Sequence, residues 1–121
     1  PINILDLHST SIFWQERNNV ACNINCNSFI LKKIYDNESL LFLEDKYYKS
    51  FIINSIASNE NCPTNILYDI FNKFNNSYES CYSLINNNKC PYDILKELYK
   101  KESTFKTKIT QNPNWKLSEF E

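Results

Sequence analysis

Four segments of this chain spell the same short word: Val20-Ala21-Cys22-Asn23-Ile24-Asn25-Cys26, Ile56-Ala57-Ser58-Asn59-Glu60-Asn61-Cys62, Leu84-Ile85-Asn86-Asn87-Asn88-Lys89-Cys90 and Ile109-Thr110-Gln111-Asn112-Pro113-Asn114-Trp115. Their central asparagines, Asn23, Asn59, Asn87 and Asn112, are 36, 28 and 25 residues apart. Self-similarity at such a period marks stacked supersecondary units, none of which can bury its apolar face alone. Such architectures bind other macromolecules far more often than they catalyse.

The agreement extends beyond the word. At +7, +8, +11 and +12 from each asparagine stand Ile30, Leu31, Ile34 and Tyr35, then Ile66, Leu67, Ile70 and Phe71, then Ile94, Leu95, Leu98 and Tyr99. This spacing lays an apolar stripe along a helix after each word. Upstream, Val20, Ile56, Leu84 and Ile109 share position −3, and Ile52, Ile53, Cys81 and Phe105 follow at helical spacing, so a second helix precedes each word. Each unit reads as helix A, an Asn-rich turn and helix B. Pro63 and Pro91 stand where a first-turn proline loses no hydrogen bond. Asn27, Asn61 and Ser103 are expected N-caps, because short polar side chains accept from the free N–H groups of a first turn. The repeated asparagine is expected to end helix A in left-handed geometry and bond nearby backbone, in preference to forming a row of ligand-binding amides.

Ile56-Ala57-x-Asn59-x-x-Cys62-Pro63-x-x-x-Leu67 and Leu84-Ile85-x-Asn87-x-x-Cys90-Pro91-x-x-x-Leu95 resemble the variant leucine-rich repeat, an α-solenoid relative of HEAT repeats, and Asn112-Pro113 supplies the family's Asn-Pro dipeptide. The resemblance runs from about residue 12 to the end. It departs from the family in a long first interval, with 37–46 as an insert, in a short fourth unit, and in showing no amino-terminal iron-sulfur cysteine cluster. It implies an all-α chain: a short right-handed α-solenoid of about three and a half helix-turn-helix repeats. The domain reading is one repeat domain over 1–121 with a lead segment at 1–10.

The chain has 121 residues, 42% of them apolar and 15% aromatic, enough for one core. It carries no apolar run of membrane-spanning length and no basic-apolar leader, so a cytoplasmic protein is expected. Pro1 cannot initiate translation, and the chain reads as complete after removal of an initiator Met or else as a fragment. With no glycine at all, it can form neither a phosphate-cradling Walker loop nor a GxGxxG dinucleotide turn. Abundant Asn, Lys, Ile, Tyr and Phe suggest an AT-rich coding sequence, as in low-GC bacteria, their mobile elements and phages.

Cys26, Cys62 and Cys90 fill one slot of the word, where the fourth copy has Trp115, so that slot is expected to be buried and apolar. Cys81 falls on an inward stripe; Cys22 has no repeat role. Neither a CxxC nor a Cys/His pair at ligand spacing is present, an odd number of thiols in an unsecreted chain favours the reduced state, and no metal or cofactor is expected. His8, the only histidine, could face Cys22 as a nucleophile's base, but no motif supplies an orienting partner or oxyanion hole.

Net charge is −1, unevenly spread: residues 89–121 carry seven lysines against five acids, and residues 1–88 six bases against nine acids. The expectation is therefore a non-enzymatic protein-binding module. Its size and source suggest a small inhibitor, whether an immunity protein, an antitoxin or a phage-encoded anti-defence or anti-CRISPR protein, that occludes a partner such as a nuclease. Contacts are expected from the acidic, tyrosine-bearing first half: Glu38, Glu44, Asp45, Tyr47, Tyr48, Asp69 and Glu79. The alternative is nucleic-acid binding through Lys96, Lys100, Lys101, Lys106 and Lys108, with Tyr92 and Tyr99 beside them.

Overall fold

The computed structural model describes residues 2–38 and 46–116. Among them are eight α-helices and no strand: α1 (Ile2–His8), α2 (Trp14–Cys22), α3 (Ser28–Glu38), α4 (Lys46–Ser58), α5 (Thr64–Phe74), α6 (Tyr78–Ile85), α7 (Tyr92–Lys101) and α8 (Lys106–Thr110), with a 3-10 turn at Ser103–Phe105. The chain is all-α. Helices flank the first three copies of the word, α2 and α3 the first, α4 and α5 the second, α6 and α7 the third, and α8 precedes the fourth.

The apolar register explains the packing. Positions +7, +8 and +11 (Ile30, Leu31, Ile34; Ile66, Leu67, Ile70; Ile94, Leu95, Leu98) are buried, and position +12 lies half-buried at the core's edge. From the preceding helices Val20, Ile52, Ile53, Ile56, Cys81, Leu84, Phe105 and Ile109 meet them. Helix α4 packs against α2 on one side and α6 on the other, and α1 lies against α2. Polar struts join the other helices in series: Lys33 of α3 reaches Asp6 of α1 at 2.6 Å, Tyr35 of α3 donates to Asp69 of α5, and Tyr68 of α5 donates to Asp93 of α7 at 2.6 Å.

Helix starts follow local chemistry, with three departures from expectation. Asn27 caps α3, its Oδ1 accepting from Ile30 N–H at 2.9 Å. Asn61 caps nothing. The N-cap positions of α5 and α7 are Pro63 and Pro91 themselves, at φ −58° and −59°, one residue earlier than a first-turn proline. Their rings already hold that φ, and their carbonyls accept the first N–H groups of the helix, so the missing donor costs nothing. Ser103 opens the 3-10 turn, whose cap is Glu102. The lead segment, unpatterned in sequence, is helical because tertiary contacts hold it: Leu5 is buried and Asp6 is paired with Lys33. The expected insert is shorter than 37–46, since Asn37 and Glu38 extend α3 and Lys46 begins α4.

Candidate interaction surface

The four words are cross-linked by their asparagines. In each copy Oδ1 of the central residue accepts the N–H two residues on: Asn25 to Asn23 at 2.8 Å, Asn61 to Asn59 at 2.9 Å, Lys89 to Asn87 at 2.8 Å, Asn114 to Asn112 at 2.9 Å. That bond turns the amide nitrogen toward the preceding word. Asn59 Nδ2 donates to Ala21 O and Asn23 O, Asn87 Nδ2 to Ala57 O and Asn59 O, and Asn112 Nδ2 to Ile85 O and Asn87 O, all at 2.7–3.0 Å. A parallel row uses the residue two positions on: Asn61 Nδ2 donates to Ile24 O and Cys26 O, and Asn114 Nδ2 to Asn88 O and Cys90 O. Lys89 interrupts this second row.

The left-handed turn expected of these asparagines is absent, since no described residue has positive φ, and Asn23 closes α2 at φ −74°, ψ 128°. The buried amides of Asn59, Asn87 and Asn112 are also unavailable to a ligand, because both hydrogens are used on backbone carbonyls, one at the end of the preceding helix A and one in the turn after it. Cys26, Cys62, Cys81 and Cys90 are buried as the slot argument required, and burial pushes the Cys62 and Cys90 thiols up to about 12. Cys22 is exposed, its Sγ 3.2 Å from Ser55 Oγ, and His8 Nδ1 lies 3.2 Å from Glu16 instead.

Of the expected acidic contacts, one is not at the surface. Glu38 is 1% exposed and forms a 2.7 Å ion pair with Arg17, equally buried, so it cannot meet a partner. A long charged side chain at a helix end turns inward here because a guanidinium waits for it. Asp69 accepts from Tyr35 and pairs with Lys73 at 3.1 Å; the Tyr35 hydroxyl, helped by Lys73, holds its carboxyl below the usual range. Glu79 is exposed at the start of α6. Glu44 and Asp45 lie outside the described residues, as do the side chains of Tyr47 and Tyr48, whose backbone is in α4.

The lysines of α7 and α8 sit among acceptors. Lys101 donates to Asn75 O, Lys106 Nζ lies 5.1 Å above the Tyr99 ring, and Tyr99 stacks on Trp115 at 4.7 Å. Lys100 shares a groove with Glu97, and Lys96 shares another with Asp93 and Glu97. Lys108 is exposed on α8.

What the residue-by-residue reading missed is apolar. Of the eight large apolar side chains exposed among the described residues, six lie within 4–29: Ile4, Leu7, Ile12, Phe13, Ile24 and Phe29, with Ile24 85% and Leu7 72% exposed. Repeat register held the signal. At +1 the copies read Ile24, Glu60, Asn88, Pro113, and at +6 Phe29, Asn65, Asp93, so the first unit puts apolar groups into two slots that are otherwise polar or proline. No family model matches the chain, and no curated protein or solved structure is detectably similar to it.

Proposed function

We propose that this chain is a short right-handed α-solenoid, of variant leucine-rich or HEAT-like type, that acts as a non-enzymatic protein-binding module. The solenoid reading is supported by the recurring asparagine rungs and by the row in which α4 lies between α2 and α6. The observation that carries the binding reading is the concentration of exposed large apolar groups on α1, the 9–13 turn, the first word and the start of α3. Scattered apolar residues need no explanation, whereas six such groups within residues 4–29 support an interaction site there. The aromatic members, Phe13 and Phe29, are rigid anchors that lose little conformational freedom on docking.

Within that reading, a small inhibitor that occludes a partner protein remains the proposed class, resting on chain size, the glycine-free sequence and the residue usage. The contact surface moves from the acidic insert to the apolar first unit. The test is site-specific photocrosslinking in the source cell from Leu7, Phe13 and Phe29, with Lys100 as a control position. The reading requires one partner captured from the first three positions and not from the fourth, and capture lost in Leu7→Glu and Phe13→Glu. Equal capture from Lys100 would sink it.

A further inference from the structure

We propose that the groove between α1 and α2 is a seat for the C-terminal end of a helix presented by the partner protein, held at its last carbonyls by Asn23. This names the partner's docking element and rests on the reading of the first unit as the contact surface. The groove encloses about 270 Å³; Ile4, Leu5 and Val20 supply its apolar side, and Glu16, Asn19 and Asn23 its polar one. Asn23 is set like its counterparts in the later words: Oδ1 holds Asn25 N–H at 2.8 Å, which leaves Nδ2 to donate elsewhere. The residue is exposed, and no described residue takes a hydrogen bond from that nitrogen.

The later words show what such an amide receives. Asn59, Asn87 and Asn112 each donate to two carbonyls, one in the last turn of the preceding helix A and one just past it: Ala21 O and Asn23 O, Ala57 O and Asn59 O, Ile85 O and Asn87 O. The helices recur in the same relation. Helix α2 packs against α3 and α4, which touch each other, and α4 packs against α5 and α6, which also touch. Helix α1 touches α2 in the same way, and the Lys33–Asp6 strut joins it to α3 as Tyr35–Asp69 joins α3 to α5. The place beside α1 and α2 that corresponds to that of α2 beside α3 and α4 is therefore this groove, and no described helix fills it. The internal occupants specify the external one. It is a helix whose last carbonyls, which every helix leaves without an internal donor, meet Asn23 Nδ2. Its last turns carry small or aliphatic side chains, as Val20 and Ala21 of α2 and Ile56 and Ala57 of α4 do.

The probe is a side-chain-stapled helical peptide spelling residues 46–60 of this chain, α4 and the two residues after it, which bears the carbonyls that Asn87 receives. It is titrated into the full chain and followed by amide shifts in NMR spectra. The expected result is saturable shifts confined to α1, α2 and the first word, with the Asn23 side-chain amide among them. Asn23→Asp keeps the Oδ1 acceptor, and hence the turn, but removes the donor, and is expected to weaken binding about tenfold or more. Ile4→Glu, at an exposed side chain of the groove, is expected to weaken it as well. Absence of saturable binding, or affinity unchanged in Asn23→Asp, overturns the proposal. So do shifts centred on α5 and α6, which would mean that the peptide displaces α4, and a free chain already heavier than 14.4 kDa at the same concentration, which would put a second copy in the seat. Partner capture from Leu7 and Phe13 without peptide binding leaves the partner reading standing and removes this seat alone.

Discussion

Arg17 Nε and Glu38 Oε1 lie 2.7 Å apart, 21 residues from one another in sequence and both 1% exposed. Arg17 also donates through Nη1 to Ser11 O at 2.7 Å, so one guanidinium ties α2 to the end of α3 and to the turn after α1. Burying two charges costs several kcal/mol, offset only while both are present. Glu38→Ala, which strands the guanidinium, is expected to lower stability by about 3–5 kcal/mol. Arg17→Met combined with Glu38→Leu should recover most of that loss, and a double-mutant cycle by urea denaturation checks both numbers.

The ladder predicts a gradient of cost along its length. Asn87→Ala deprives buried Ala57 O of its donor, leaves Asn59 O with only the Cys62 N–H, and frees Lys89 N–H. The expected loss is on the order of 2–4 kcal/mol, from unsatisfied groups at about 1–3 kcal/mol each. Asn23→Ala removes only the exposed bond to Asn25 N–H and should cost under about 1 kcal/mol. Equal losses at the two positions, measured by thermal and chemical melts, would contradict the bridging role.

Alkaline pH should unfold the protein through its buried thiols. Cys62 and Cys90 are raised from 9.0 to about 12 by burial, with Asp93 adding to Cys90. A raised folded value means that their contribution is complete below about pH 9 and is lost as pH climbs toward 12. Over that window the unfolded chain releases protons that the folded chain keeps, at about 1.4 kcal/mol per pH unit for each thiol. Urea midpoints from about pH 8 to about pH 11 should fall with pH under reducing conditions, and Cys62→Ala with Cys90→Ala should flatten that slope.

Nucleic acid is expected not to be retained by the α7–α8 lysines. Lys101 is held by Asn75, and Asp93 and Glu97 stand among the others, so the field there is mixed. A gel shift at low salt with single- and double-stranded DNA and RNA tests this. Retention that disappears on replacing Lys96, Lys100 and Lys106 by Gln would restore the nucleic-acid reading.

Much of the fold was legible because burial along a helix has a period. Ile66, Leu67 and Ile70 repeat the spacing of Ile30, Leu31 and Ile34, and both sets are buried. The site was less legible. Glu38 reads as one more surface acid, and only the approach of Arg17 from 21 residues upstream makes it interior. The asparagines were recognisable as structural, but their mechanism was not, because their partners lie 25–38 residues away on neighbouring words.

Sequence alone determined the four-copy register, the helices on either side of the first three words and the buried slots, since these follow from local propensity and the 3.6-residue period of apolar side chains. Tertiary structure decided which polar groups face water. Asn59, Asn87, Asn112, Arg17 and Glu38 are drawn inward because stacked helix ends present carbonyls and an opposite charge that must be satisfied away from solvent. Asn23 has no earlier word among the described residues to donate to, and the same side chain is left exposed.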